Sequence, residues 1–417
     1  MKKLLFIAFA FSAAAAFAAP LAVTDVSARQ RWPWNGLIDV DFNIGGDSVA
    51  DLFKVEVHAT YAGGTKKVVG RTYLNEPLRG PGWNRLTWDF GADCPETKID
   101  DMQVAVVATP MSRAQLDSEN VYMVIDLSAG PNAARYPVSY TFTAPTLVPT
   151  NDLVACAADP NRTTKLWLKR VKANTFPFHG TNSDPWFYAR LSPFYIGIFE
   201  LTQKQWNLVM GNWPSQFSNE TYRAARPVER INYEDVIGHN NWPDNKVVSD
   251  SSFVGKMRAR TGLSTLNLPT EAQWEDAARA GAKGSVYANA NTGRYNANAG
   301  SPSTYNEDPT VGTALVGSYK ANAWGFYDCY GNVMEMCLDA YASGDDLKTL
   351  YAGQDPVDDP IGPATHSTAR YHATRGGSYD NSNSRSSSYD RNYCNSTVTG
   401  TRDPRIGMRV AVSPDWE

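Results

Sequence analysis

The chain reads as two domains, an all-β sandwich followed by an α+β domain, and three observations lead there. Its 417 residues exceed what one ordinary hydrophobic core serves. In the first third, short runs alternate apolar with polar side chains and show no helical periodicity. Beyond about residue 165, sharply marked helix starts stand among long stretches of Gly, Asn, Pro and aromatic residues.

The first element is a leader. Met1-Lys2-Lys3, the apolar run from Leu4 to Phe17 and the small residues around Ala16 and Ala18 follow the three regions of a secretory signal peptide, assigned here to residues 1–18. The run is too short for a membrane span, which needs about 20 residues, and no second apolar segment of that length follows. No cysteine sits at the cleavage position, which argues against a lipoprotein. The expectation is a soluble protein, secreted or periplasmic, with no membrane span. The formal charge is −4, and losing Lys2 and Lys3 takes it to −6, so a nucleic-acid partner is not expected.

Residues 19–143 carry the strand pattern. Val23-Thr24-Asp25-Val26, Leu37 to Ile44 and Lys54 to Tyr61 alternate, and Val68 to Leu74, Asn84 to Phe90, Met102 to Ala108 and Tyr122 to Leu127 follow. Close spacing of such runs predicts an antiparallel, immunoglobulin-like sandwich. Its role is open between a structural or adhesive spacer and carbohydrate binding. Residues 144–164, with Pro145, Pro149, Asp152, Pro160 and Asn161, have the composition of a linker.

Residues 165–417 form the second domain. Thr202 with Gln205, and Thr270 with Gln273, are capping boxes: each hydroxyl accepts from the amide three residues on while the glutamine reaches back. Trp206, Val209 and Met210 face inward before Gly211, and Trp274, Ala277 and Ala278 before Gly281. Asn232 caps a shorter helix through Val236. The stretch from Arg375 to Val412 opens on Gly376-Gly377-Ser378 and closes on the alternation Ile406-Met408-Val410-Val412, with hardly an aliphatic side chain between. Such a segment reads as a displayed loop on a rigid scaffold. Its Tyr, Ser and Asn content suits adaptable binding, which makes Ser378, Asn381, Ser386, Tyr389 and Arg391 the candidate contacts for an unidentified protein or glycan. A solvated polar loop is the plainer reading, and Ser378 also suits a turn.

Five segments in order carry a resemblance: Phe194 to Thr202, Leu268 to Glu275, Asn322 to Asp328, Gly331 to Glu335, and Arg375-Gly376-Gly377-Ser378-Tyr379 with Gly407-Met408-Arg409-Val410. Together they resemble the formylglycine-generating enzyme family, the sulfatase-modifying-factor domain, whose fold is a variant of the C-type-lectin type. The resemblance implies calcium, bound by the side chains of Asp328 and Glu335 and the carbonyls of Gly331 and Val333. A second calcium would fall on Asn298, Ala299, Asp308 and Thr310. Oxygen-rich donors gathered by a tight turn suit that ion, although a glutamate capping a turn gives the same spacing.

The family's oxidase chemistry implies two thiolates that hold copper. Counted from the Gly-Gly-Ser turn, their positions carry Asn381 and Ser386, and neither can replace a soft ligand. Copper is therefore not expected, and the activity is not carried over. The first expectation is an exported, calcium-stabilised, non-catalytic binding or structural module, a pseudoenzyme. The alternative is an oxidoreductase of the family type, acting on a protein cysteine or other thiol through an unrecognised metal site. Cys94, Cys156, Cys329, Cys337 and Cys394 are odd in number, so at least one is free within the chain or pairs between chains. None forms a CxxC pair. His366 and His372 could meet across a loop, as a surface pair more readily than as a metal site.

Overall fold

A computed structural model describes residues 23–31, 36–45, 52–75, 77–95, 101–111, 121–179, 185–238, 246–282, 284, 311–365, 370–382, 385–395 and 402–413. The leader and the second calcium set, Asn298, Ala299, Asp308 and Thr310, lie outside the described residues, as does His366. Two compact units divide the chain: one runs to Val124 and takes in Val138–Ala144, and the other comprises Ile125–Pro137 and Pro145–Glu417.

In the first unit the alternation in sequence becomes two sheet faces. β1 (Val23–Gln30), β2 (Leu37–Ile44), β3 (Leu52–Tyr61), β4 (Lys66–Val69), β5 (Thr72–Tyr73), β6 (Leu78–Arg79), β7 (Gly82–Asp89), β8 (Gln103–Met111) and β10 (Val138–Thr141) belong to this unit, while the boundary at Val124 falls within β9 (Tyr122–Asp126). One sheet runs β1-β2-β7-β5-β10, and in the other β3 pairs with β4, β6 and β8. Val40, Phe42, Val55, Val57, Trp88, Val104 and Val106, drawn from both sheets, close a single core. The strand expected from Val68 to Leu74 is two, β4 and β5: β4 pairs with β3, a register the Gly70 amide extends by donating to the Val57 carbonyl at 2.7 Å, whereas Thr72 and Tyr73 pair with β10 and β7 in the other sheet.

The linker expected over 144–164 is instead built structure of the second unit. Asp152 caps α2 (Leu153–Ala158), the helix that follows the short α1 (Phe90–Asp93) of the first unit, and Asp159 caps α3 (Pro160–Thr163). Arg162 is fully buried, 2.6 Å from Asp159 and bonded to the Val316 carbonyl at 2.8 Å. A proline-rich composition misleads here because Pro160 sits at the first helical position, where its missing N–H costs nothing.

Around this, β11 (Lys165–Val171) pairs with β14 (Phe194–Gly197), and β14 with β20 (Ala411–Val412). β12 (Asn174–Phe178), β13 (Phe187–Leu191) and β16 (Val357–Asp358) form a second small sheet. The third has the order β18-β17-β15-β19, from β15 (Met334–Ala340), β17 (Tyr371–Arg375), β18 (Arg391–Asn395) and β19 (Ile406–Met408). The capping boxes at Thr202 and Thr270 hold as read, the first starting α4 (Gln203–Met210), and Asn232 caps α5 (Tyr233–Val236), where it also forms a box with Asp235. Two further helices escape the sequence reading, α6 (Phe253–Thr261) and, beyond α7 (Glu271–Arg279), α8 (Gly344–Leu350). α7 ends one residue early, on left-handed Ala280. α8 carries its own capping box, Ser343 with Asp346, in a stretch with few apolar residues to reveal a face.

A buried ionic centre behind a glycine turn

Gly376 and Gly377 both have positive φ, +91° and +72°, and both lack room for a side chain. A Cβ on Gly377 would meet the Arg385 carbonyl at 2.5 Å and Ser386 Oγ at 2.6 Å, and one on Gly376 would meet the Cys329 carbonyl at 2.9 Å. This close approach is what the paired glycines permit. Ser378 then forms a turn, its amide and hydroxyl both donating to Asn381 Oδ1 at 2.9 and 3.1 Å.

The displayed-loop reading is corrected by burial. Ser378, Ser386, Ser387 and Ser388 are fully buried, and residues 391–395 are a strand rather than a loop. Ser386 Oγ has no hydrogen-bond partner among the described residues. Arg391 grips the buried Glu271 through two nitrogens at 2.8 and 2.6 Å. Tyr389 is half-buried, its ring 6.0 Å from that of His179. A run of polar residues can be interior when its hydroxyls and amides close turns on one another, which composition alone does not reveal.

Two ionic networks lie behind the turn. In the first, Arg375 bonds Glu271 at 3.0 Å and Glu275 at 2.6 Å, and Glu275 is shared with Arg279 at 2.7 Å. Burial acts to raise the Glu271 carboxyl, but Arg391 and Arg375 outweigh it and hold it down at about 2. Burial drives His179 the other way, to about 3, helped by Arg375 and Arg391, so its ring is neutral.

In the second, Arg409 takes both oxygens of Glu335 at 2.7 Å, and Trp274 Nε1 donates to Glu335 Oε2 at 2.9 Å. Glu200 receives the Asn332 side-chain amide at 2.5 Å and the Val333 amide at 3.0 Å. Asp328 receives the Gly317 amide at 2.5 Å, while its Oδ1 is buried without a hydrogen-bond partner among the described residues. Burial, then Asp328 and Glu335, push the Glu200 carboxyl well up. Burial pushes Asp328 up to about 6. Sequence reasoning missed Glu200, Arg409 and Arg375 as partners. Glu200 follows β14, Arg375 ends β17 and Arg409 stands between β19 and β20, each a charge beside buried apolar residues, which implies a buried counter-charge.

Residues 170–414 match the sulfatase-modifying factor enzyme 1-like domain, which is more than half of the chain. The chain belongs to this family. The chaperone protein LppX of Paenibacillus barcinonensis is 34% identical over 224 residues, covering 44% of this chain and 75% of the relative. The formylglycine-generating enzyme of Streptomyces coelicolor is 31% identical over 206 residues, and the chain spans 56% of that enzyme. Among solved structures, Treponema denticola variable protein 1 is 26% identical with a TM-score of 0.45, covering 60% of this chain and 96% of that one.

The sulfatase-modifying-factor domain invites two fit tests. Copper fails its test: at the positions where the family implies thiolates, Asn381 is the acceptor of the Ser378 turn and Ser386 is a buried hydroxyl. Calcium fits in part. Glu335, expected as a ligand, has both oxygens engaged by Arg409 and Trp274. Asp328 offers one unengaged buried oxygen, in a group where Glu200 and Glu335 add negative charge. Among the described residues no three His, Cys, Asp or Glu side chains form a metal-holding group. All five cysteines are free thiols, so no disulfide braces the domain. His372 is buried, its ring stacked 3.3 Å from that of Tyr233.

Proposed function

We propose that this protein is an exported, non-catalytic member of the family whose second unit binds another polypeptide. The observation that carries the reading is the remade closing motif: Asn381 and Ser386 serve as turn acceptor and buried hydroxyl, and no soft donor stands at either place. Export rests on the leader-like residues 1–18, and an immunoglobulin-like arrangement of the first unit rests on its two antiparallel sheets.

The docking face is aromatic. Tyr371 and Tyr393 stack at 4.4 Å, Tyr341 lies 5.1 Å from Tyr393, and Tyr393 is 47% exposed. Arg391 lies 5.0 Å from the Tyr341 ring and 5.3 Å from the Trp186 ring. Its bond to Glu271 ties this surface to the buried network, so the rings are held rigid before a partner arrives. Rigid amphipathic rings give contact area at low entropic cost. A relative named as a chaperone fits a polypeptide partner. Calcium at Asp328, with the carbonyls of Gly331 and Val333, would neutralise the carboxylate charge that Arg409 leaves over.

The test incubates purified protein, supplied with copper, with a thiol-bearing peptide and follows oxygen uptake and peptide mass. No uptake and no aldehyde product are expected. Turnover above that of free copper would overturn the non-catalytic reading in favour of a thiol oxidoreductase.

A further inference from the structure

We propose that the outer face of β1, β2 and β7 in the first unit binds a neutral polysaccharide, with Trp83 as its stacking platform. Along β7 alternate residues share one face, on which Trp83 and Arg85 are exposed and Asp89 is half-buried, while Thr87 is buried beneath its bonds to Arg31 and Asp39. The apolar members of the same strand, Leu86 and Trp88, are fully buried. Trp83 is the exception to that division, 70% exposed and the most exposed large apolar side chain among the described residues.

What surrounds Trp83 is polar and ordered. The register places Asn43 opposite Trp83, Asp41 opposite Arg85, and Ser27 opposite Asp41. Arg85 and Asp41 form a two-bond pair at 2.5 and 2.8 Å that fixes both side chains while leaving them partly exposed. The pairing of β1 with β2 shifts between Thr24 and Ser27, and within that bulge Asp25 takes φ +56°. Bulges re-aim side chains, and Asp25 joins Ser27, Asp41, Trp83, Asn84 and Arg85 around an open cleft of about 540 Å³.

The chemistry of that cleft selects its occupant. A pyranose ring presents one face of C–H groups, which stacks on an indole, and a rim of hydroxyls that both donate and accept. Carboxylates accept those protons, and the guanidinium of Arg85 donates in return. The next outward row along the strands lies about 6.6 Å from Trp83, two residues of rise, so a sugar on the indole has its neighbour over Asp41 and Arg85. Asp25 and Asp41 would repel an anionic glycan, so the chain it takes is neutral.

The full-length protein is run through native gels cast with laminarin, galactomannan or soluble xylan, alongside Trp83→Ala, Trp83→Phe and Arg85→Ala. At least one polysaccharide should retard the wild type. Trp83→Ala should weaken that binding at least tenfold with an unchanged melting temperature, and Trp83→Phe should recover part of it. Wild type that ignores all three, or Trp83→Ala that binds as wild type does, overturns the proposal. So does a wild-type dimer on size exclusion that Trp83→Ala dissolves, because the indole would then be covered by a second copy.

Discussion

Gly377 and Ser386 touch in the closing turn, and their substitutions should behave in opposite ways. Gly377→Val places a Cβ 2.5 Å from a carbonyl at a φ that β-branched residues avoid, and should cost about 3 kcal/mol or more. Ser386→Ala removes a buried hydroxyl that bonds nothing described, and should be neutral or slightly stabilising. Thermal melts of both variants check this; a Ser386→Ala protein that loses more than about 1 kcal/mol would mean the hydroxyl has a partner. The glycine pair was legible in sequence because positive φ and close approach leave a chemical trace. Ser386 was not, since serine is equally at home in water and in a closed turn.

At the scale of elements, the buried charges decide how the second unit responds to pH. Burial pushes Asp276 of α7 up to about 7, and does the same to Glu229. Their folded values lie above the unfolded ones, so their contribution is complete below about pH 4 and is lost as pH rises through 7. Glu271 runs the other way: held at about 2, it contributes above its unfolded value and is lost as pH falls. Stability should therefore peak near pH 4–5 on the strength of these groups. Asp276→Asn should flatten the alkaline decline, by on the order of 2–4 kcal/mol at pH 8, in denaturant titrations across pH. An unchanged decline would show that the carboxyl ionises without penalty. Arg409→Met should cost about 3–5 kcal/mol, because it leaves Glu335 buried and unpaired. The helices that carry these groups were read where a capping box adjoined an apolar face, as at Thr202 and Thr270. α8 has the box without the face, and the helices at 153–163 hid behind prolines.

For the whole molecule, the family and the order of its motifs were plain from sequence, because the motifs are the residues that close the glycine turn and the buried networks. The display loop was misjudged for the same reason: its polar residues belong to that interior. If Asp328 holds calcium, a hundredfold excess of ion over its dissociation constant should stabilise the second unit by about 2.7 kcal/mol, and chelator should lower its melting temperature. An Asp328→Asn protein that responds to chelator as wild type does would remove the site. The proposed absence of the family's copper chemistry is tested most directly by anaerobic titration of purified wild-type protein with Cu(I) against a chromogenic chelator. No copper should be taken from the competitor; one tightly held equivalent per chain, lost on substituting Asn381 and Ser386, would contradict that absence.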